Sequence, residues 1–386
     1  MKKVIALILA MLMVFTLAAC GQEQPSGTPA DPGKEPAADA PDASGDVEPE
    51  VIKLSLVHHW NADSYQQTEQ FEGYFNKLEE VLDGKYDFQI DYYPTGTLMS
   101  EADIYDGVVD GVVDIGGSTS TMHSERFLCI NAINYPGAVT RDNASANSLI
   151  NQEYFEIYQF AELEDVKVLY CWGNTINMIH STEPILTLED LQGKTIRVTG
   201  VSAELFTLLG ATPIAMSWGE VASSAQKGLI DGAFGTPNML TDYNLHEVFP
   251  YSTYTEELGA GNLFVIMNKD KFESLPEDVQ KAMDDMAYFG AALAGAVWDY
   301  DSRHAVETTE ALGHEFLHRD DAEISRWTEL ASVMSDNYAL KLTDAGYPGE
   351  DMIKTLRELS IKYDVVEDEG WEPGEVFEPS VLKIED

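Results

Sequence analysis

Leu188-Glu189-Asp190-Leu191-Gln192-Gly193-Lys194-Thr195-Ile196-Arg197-Val198 is the stretch on which the fold turns. A short helical turn feeds through Gly193 into a strand, and Arg197 on that strand points either into a cleft or to solvent. A helix over 203–210 follows, then Gly210-Ala211-Thr212-Pro213-Ile214, then Met216-Ser217-Trp218-Gly219-Glu220-Val221, and a helix ending at Lys227-Gly228-Leu229-Ile230-Asp231-Gly232. Asp231-Gly232-Ala233-Phe234 reads as the next strand. Strand and helix alternate, which is the pattern of a parallel α/β layer with right-handed crossovers.

The same cadence extends upstream. Ile52 to Val57 alternates with period two and predicts a strand. The polar turn His58-His59-Trp60-Asn61-Ala62-Asp63-Ser64 then caps a helix carrying Phe71, Tyr74, Phe75, Leu78 and Val81 on one face. Phe88 to Tyr93 alternates again, Pro94-Thr95-Gly96 ends it, a helix from Ser100 to Val109 follows, and a strand lies around Val112 to Gly116. Another strand at Val166 to Tyr170 opens a second unit. Helices are expected over Pro276–Ala296, with Ser274 as N-cap, over Ala322–Thr343 and over Glu350–Lys362, ahead of an acidic tail that matches no pattern.

The chain has 386 residues, of which roughly 335 follow Val51, more than one compact core holds. Two lobes are expected: the first from about 51–172 plus 262–300, the second from about 173–261 plus the C-terminal helices. The formal charge is −44, spread along the chain. Such a field repels nucleic acid and anionic lipid, so no nucleic-acid partner is expected. No D-x-D-x-D-G, CxxC or HExxH pattern occurs, so no metal or cofactor is expected. Cys129 and Cys171 either form one disulfide or remain two buried thiols. No GxSxG or paired-acid motif marks a hydrolase, so no catalytic residue is assigned.

Residues 1–20 have the layout of a secretory leader: Lys2 and Lys3, an apolar run from Val4 to Leu17, then Ala18-Ala19-Cys20. The run is too short for an ordinary membrane span. Leu17-Ala18-Ala19-Cys20 resembles the bacterial lipobox, which implies that Cys20 is acylated and becomes the first mature residue. Residues 21–50, built from Pro, Ala, Gly, Asp and Glu without an aromatic, read as a disordered acidic linker. The chain is therefore expected outside the cytoplasm, held to the membrane by lipid.

Gly193-Lys194-Thr195-Ile196-Arg197-Val198, Gly210-Ala211-Thr212-Pro213, Trp218-Gly219-Glu220-Val221 and Gly228-Leu229-Ile230-Asp231-Gly232 resemble, in order and nearly in spacing, the solute-binding subunit of tripartite ATP-independent periplasmic (TRAP) transporters, the DctP family. Tyr92 to Leu98, Val108 to Gly116 and Leu275 to Gln280 resemble further parts of it. The resemblance implies a two-lobed, periplasmic-binding-protein-like α/β fold, hinged by crossing strands and braced by a long helix, closing on a small organic acid for delivery to membrane permease subunits.

Arg197 falls where the family keeps its carboxylate-clamping Arg, a role that suits the two parallel donors of a planar guanidinium. Trp218 falls at the family's aromatic ligand contact. Some members carry a second Arg where this chain has Asn177, and the family's Asn after Asp-Gly is replaced by Gly235, with Asn238 beyond. One carboxylate rather than two is the simpler expectation, on a body that is apolar or ring-bearing. From the first lobe, loops after strands nominate His59, Trp60, Asn61, Glu101, Ser118 and Thr119. His58 and His59 face opposite ways, one exposed and one lining the cleft, and Trp172 is read as a hinge residue. The rival readings are a binder feeding an ATP-driven transporter or a sensor kinase, and a secreted hydrolase.

Overall fold

The computed structural model describes residues 48–379 apart from Ser124, Thr140 and Ala260. The leader, Cys20 and nearly all of the expected linker lie outside the described residues. Among the described residues, eleven strands form two sheets: β1 (Glu50–His58), β2 (Tyr86–Tyr93), β3 (Ile115–Thr119), β4 (Val166–Gly173), β5 (Met178–Ser181), β6 (Thr195–Arg197), β7 (Thr212–Ile214), β8 (Gly232–Gly235), β9 (Tyr251–Tyr254), β10 (Asn262–Asn268) and β11 (Glu315–Leu317). The first sheet runs β2-β1-β3-β10-β4 and the second β11-β9-β5-β8-β6-β7. β1 is parallel to β2 and β3, whereas β10 is antiparallel to both its neighbours.

The period-two reading of β1 becomes a buried row: Ile52, Leu54 and Leu56 enter the core under the sheet while Val51 and Lys53 face out. Phe71, Tyr74, Phe75 and Leu78 pack beneath it. Val81 is an exception, half-exposed at the last position of helix Glu72–Val81, where the turn has left the core. Phe71 sits in a wider turn, Gln66–Phe71, that precedes this helix.

The backbone passes between the sheets three times: from β4 to β5 through 174–177, from β9 to β10 after Tyr254, and from β10 to β11 by way of helices. Side chains stitch the first two crossings together. Thr255 donates to the Asn177 carbonyl at 2.5 Å, the Asn177 amide donates to the Gly259 carbonyl at 3.3 Å, and the Gly261 N–H donates to the Asn174 side chain at 2.5 Å.

The expected Pro276–Ala296 helix is two helices, Glu277–Asp285 and the 25-residue Ala287–Ala311, broken at Met286. Ser274 does not cap the first of them; its hydroxyl donates to the Lys271 carbonyl at the end of the preceding turn. The long helix begins on the first sheet's side and ends next to β11 of the second. Its small residues allow close approach: a Cβ on Gly295 would lie 2.7 Å from Ser145 Cα of helix Ala144–Tyr158. Asp299 on the same helix accepts from the Ala144 and Ser145 N–H groups at 2.6 and 2.9 Å, capping that neighbour.

The placement of all C-terminal helices in the second lobe is corrected. Helix Asp321–Asp344 spans both lobes: Arg326 pairs with Glu189 at 2.9 Å, and farther along Tyr338 stacks on Tyr135 at 3.7 Å. Helix Gly349–Lys362 lies on the first lobe, with Thr355 bonded to the Tyr158 hydroxyl at 2.9 Å and Lys362 paired with Glu153 at 3.0 Å. The acidic tail returns there as well, setting Trp371 against Tyr300 and Phe377 against Phe289 on the long helix. Its aromatic residues, spaced too irregularly for a periodic signal, do this packing. Cys129 and Cys171 are buried free thiols. Burial pushes both above the usual thiol range, Cys129 to about 12.

Candidate functional site

Between the sheets lies a cleft with about 990 Å³ of atom-free space, including the part open to solvent. β6 delivers Arg197 to it. The side chain is 4% exposed, and its Nε donates to the Met216 carbonyl at 3.0 Å. The guanidinium lies over the Trp218 ring, 3.7 Å from the centroid. Trp218 in turn stacks on Tyr243 at 6.0 Å. Among the described residues, no acceptor bonds to either Nη atom of Arg197 and no carboxylate pairs with it. Burial lowers its pKa to about 10, with Glu101 pulling upward, so the group remains a cation at neutral pH.

Local sequence explains this placement. Ser217 and Glu220 form a reciprocal capping box that starts helix Trp218–Gln226, fixing the Trp218 backbone beside the strand end. Gly235 at the end of β8 makes room for the indole: a Cβ there would lie 2.4 Å from Trp218 Cη2. The residue that departs from the family's Asn is thus the one against which the aromatic wall rests.

From the first lobe come His59 and Trp60 at the end of β1, Glu101 at the head of the helical segment 101–109, and Thr119 at the end of β3. His59 Nδ1 lies 3.3 Å from Glu101 Oε1, and burial lowers the His59 pKa despite that carboxylate. The His59 and Trp60 rings are 3.9 Å apart. Asn177 joins the lining from the crossing segment.

Three nominated residues are not on the cavity wall. Asn61 remains in the turn after β1, where its carbonyl accepts from the Ser64 N–H at 3.2 Å. Ser118 is buried on the opposite face of β3 from Thr119, as alternation along a strand requires. Asn238 is fully buried beneath the wall, its amide donating to Asp242 and Asp301, each at 3.0 Å. His58 is also corrected: it is fully buried rather than exposed, bonded to Gln67 at 3.1 Å. Trp172 is fully buried against Trp60 and Tyr170 and does not line the cavity.

The lining also includes residues that no motif flagged, among them Asn134, Asn174, Thr236, Tyr243 and Trp298. Asn174 was within reach, three residues before Asn177 on the same crossing. Trp298 sits on the long helix and Tyr243 just past the end of the short helix Met239–Asp242, and both arrive only through tertiary packing. Thr236 is held by a directional chain. His180 Nε2 donates to its carbonyl, which leaves His180 Nδ1 to accept from Ser252, and Ser252 in turn accepts from His314 Nε2, each serine contact being 2.7 Å. Burial keeps both imidazoles neutral, at about 3 and about 4.

Residues 56–341 match the family model described as bacterial extracellular solute-binding protein, family 7, DctP. A solute-binding protein of Sulfitobacter is 26% identical over 73% of this chain and 86% of its own length. A TRAP periplasmic solute-binding protein of Desulfovibrio salexigens superposes with a TM-score of 0.73 at 26% identity, covering 82% of this chain and 98% of that one. A marine-metagenome TRAP solute-binding protein specific for aromatic acids, seen with 3-hydroxybenzoate, superposes with a TM-score of 0.76 at 26% identity, covering 82% and 99%. With the match spanning most of the chain and the two-sheet architecture shared, this protein belongs to family 7 of the bacterial extracellular solute-binding proteins, the DctP family of TRAP transporters.

Proposed function

We propose that this protein is the lipid-anchored, extracytoplasmic receptor of a TRAP transporter, capturing a small ring-bearing monocarboxylate through Arg197 and handing it to the membrane permease subunits. The observation that carries the reading is a buried arginine whose Nε is fixed and whose two Nη groups have no protein partner among the described residues. A ligand carboxylate completes that fork with two parallel charge-assisted hydrogen bonds. Trp218, Tyr243, Trp60 and Trp298 give the cavity aromatic walls suited to the faces or edges of a ring. Relatives of similar fold supply a precedent, one of them binding hydroxylated aromatic acids.

In the open form the carboxylate meets Arg197 in water. Closure of the lobes about the 174–177 and 255–261 crossings removes that water and strengthens the contact, so binding and closure are coupled. The closed form is what the permease recognises, and its ion gradient drives uptake. Asn174 and Asn177 offer neutral hydrogen bonds to the rest of the ligand. Cys20, through its lipid, keeps the receptor near its permease.

A thermal-shift screen of the purified protein against aromatic, aliphatic and sugar acids tests the ligand reading. The expected result is a rise with ring-bearing monocarboxylates that disappears in Arg197→Ala. No rise with any acid would refute it. Cys20→Ser should move the protein from the membrane fraction to the soluble one.

A further inference from the structure

The residues lining the cavity carry one fixed cation, Arg197, one carboxylate, Glu101, and one histidine, His59. Arg197 stands at the end of a second-lobe strand and Glu101 at the head of a first-lobe helical segment, on opposite sides of the cleft. They are near enough to feel each other's charge, yet no ion pair forms between them. Glu101 has no cationic partner elsewhere among the described residues. Its one close polar neighbour is His59 Nδ1 at 3.3 Å, without the alignment of a hydrogen bond, and burial keeps that imidazole toward its neutral form.

Building on the Arg197 clamp, we infer that Glu101 is the second specificity determinant, accepting a hydrogen bond from a hydroxyl or ammonium group on the ligand distal to its carboxylate. The physical reason is the cost of an unmatched group. When the lobes close, Glu101 loses water, and a purely apolar ligand tail leaves it desolvated without a donor. A second ligand carboxylate would meet it as a like charge. A donor satisfies it and, because Glu101 and Arg197 belong to different lobes, makes the ligand a bridge that both lobes grip. Clamping by Arg197 alone holds the ligand to the second lobe only. The ligand class is therefore a hydroxy- or amino-substituted ring acid rather than a dicarboxylate or an unsubstituted acid.

Calorimetric titration of the purified protein with benzoate, the three hydroxybenzoates, 3-(aminomethyl)benzoate and benzene-1,3-dicarboxylate tests this. In the wild type, at least one donor-bearing acid should bind about tenfold or more tightly than benzoate, and the dicarboxylate more weakly than benzoate. Glu101→Ala should collapse the donor preference toward unity, with a thermal melt and circular dichroism spectrum of the unliganded variant matching wild type to report that it is folded. Glu101→Gln, which keeps an acceptor oxygen without the charge, should retain part of the hydroxyl preference and lose that for the ammonium. Arg197-dependent binding with no donor preference, or a preference that survives Glu101→Ala, overturns this inference and leaves the clamp standing. Failure of every acid to bind overturns both.

Discussion

Two arginines are buried among the described residues, each with an indole against its guanidinium, and they differ in one respect. Arg319, over Trp327 at 4.5 Å, is saturated: Nη1 and Nη2 reach the two Glu257 oxygens at 2.5 and 2.8 Å, and Nε and Nη2 donate to the Tyr254 carbonyl. Arg197, over Trp218 at 3.7 Å, has only the Met216 carbonyl on its Nε and an open fork facing a cavity. Stacked and buried in the same way, Arg319 has its carboxylate supplied by the protein, whereas Arg197 does not. Burial and stacking are common to both, so the proposed clamp rests on the unfilled hydrogen-bonding capacity of Arg197 alone.

Replacing each arginine should separate the two roles. Arg319→Ala leaves Glu257 buried without its cation and should cost about 3–5 kcal/mol of stability in denaturant unfolding. Arg197→Ala removes a desolvated cation that no protein carboxylate compensates, so stability should hold or rise, while ligand affinity falls roughly 100-fold, about 2–3 kcal/mol. Arg197→Lys should recover part of that affinity, since an ammonium cannot present the parallel fork. Equal stability losses in the two alanine variants would erase the distinction.

A smaller effect is expected from the support behind the fork. Gly235→Ala places a Cβ where the Trp218 indole now lies, so the ring must move away from the guanidinium. The cation–π contact is worth about 0.5–2 kcal/mol, which predicts a several-fold to roughly 30-fold loss of affinity in calorimetry.

The smallest effect is a pH dependence behind the cavity. Asp242 and Asp301 converge on the Asn238 amide, and Gln66 of the first lobe donates to Asp301 at 2.9 Å. Burial first, and for Asp242 the repulsion of Asp301 next, raise both above the ordinary aspartate value of 3.8. A carboxyl with a raised folded pKa contributes its full stability below the unfolded value and loses it as pH rises. Wild-type stability should therefore fall between pH 6 and pH 8.5 relative to Asp301→Asn, whose amide oxygen keeps both contacts. Thermal melts at the two pH values should show a difference of a few degrees. The buried His180 and His314 act with the opposite sign: their contribution is present above 6.5 and is lost as pH falls toward about 3 and about 4.

The sequence made one wall of the cavity more legible than the other. Arg197, Trp218 and Gly235 stand in one contiguous segment, and it is the resemblance to the DctP family that marks them there; the strand signal alone leaves Arg197 facing either a cleft or solvent. The first-lobe wall is assembled from loops far apart in sequence. Loop position led to His59, Trp60, Glu101 and Thr119, but it could not tell Thr119 from Ser118, because alternation gives relative and not absolute facing. Asn238 failed for another reason: its amide is consumed by two acids, one of them on a helix more than sixty residues away. Tyr243 and Trp298 left no signal, since aromatic residues on helices or at their ends are ordinarily core. The two-sheet architecture followed from periodicity and length, whereas the return of the C-terminal helices and tail to the first lobe depends on scattered aromatic contacts that periodicity does not register.

The central claim is that the open fork of Arg197 takes the ligand carboxylate. A crystal structure of the protein with the tightest-binding acid from the screen tests it directly. Both carboxylate oxygens are predicted to lie about 2.7–2.9 Å from the Arg197 nitrogens, with Trp218 still beneath the guanidinium. A carboxylate bound elsewhere in the cavity, with Arg197 paired to Glu101 instead, would contradict it.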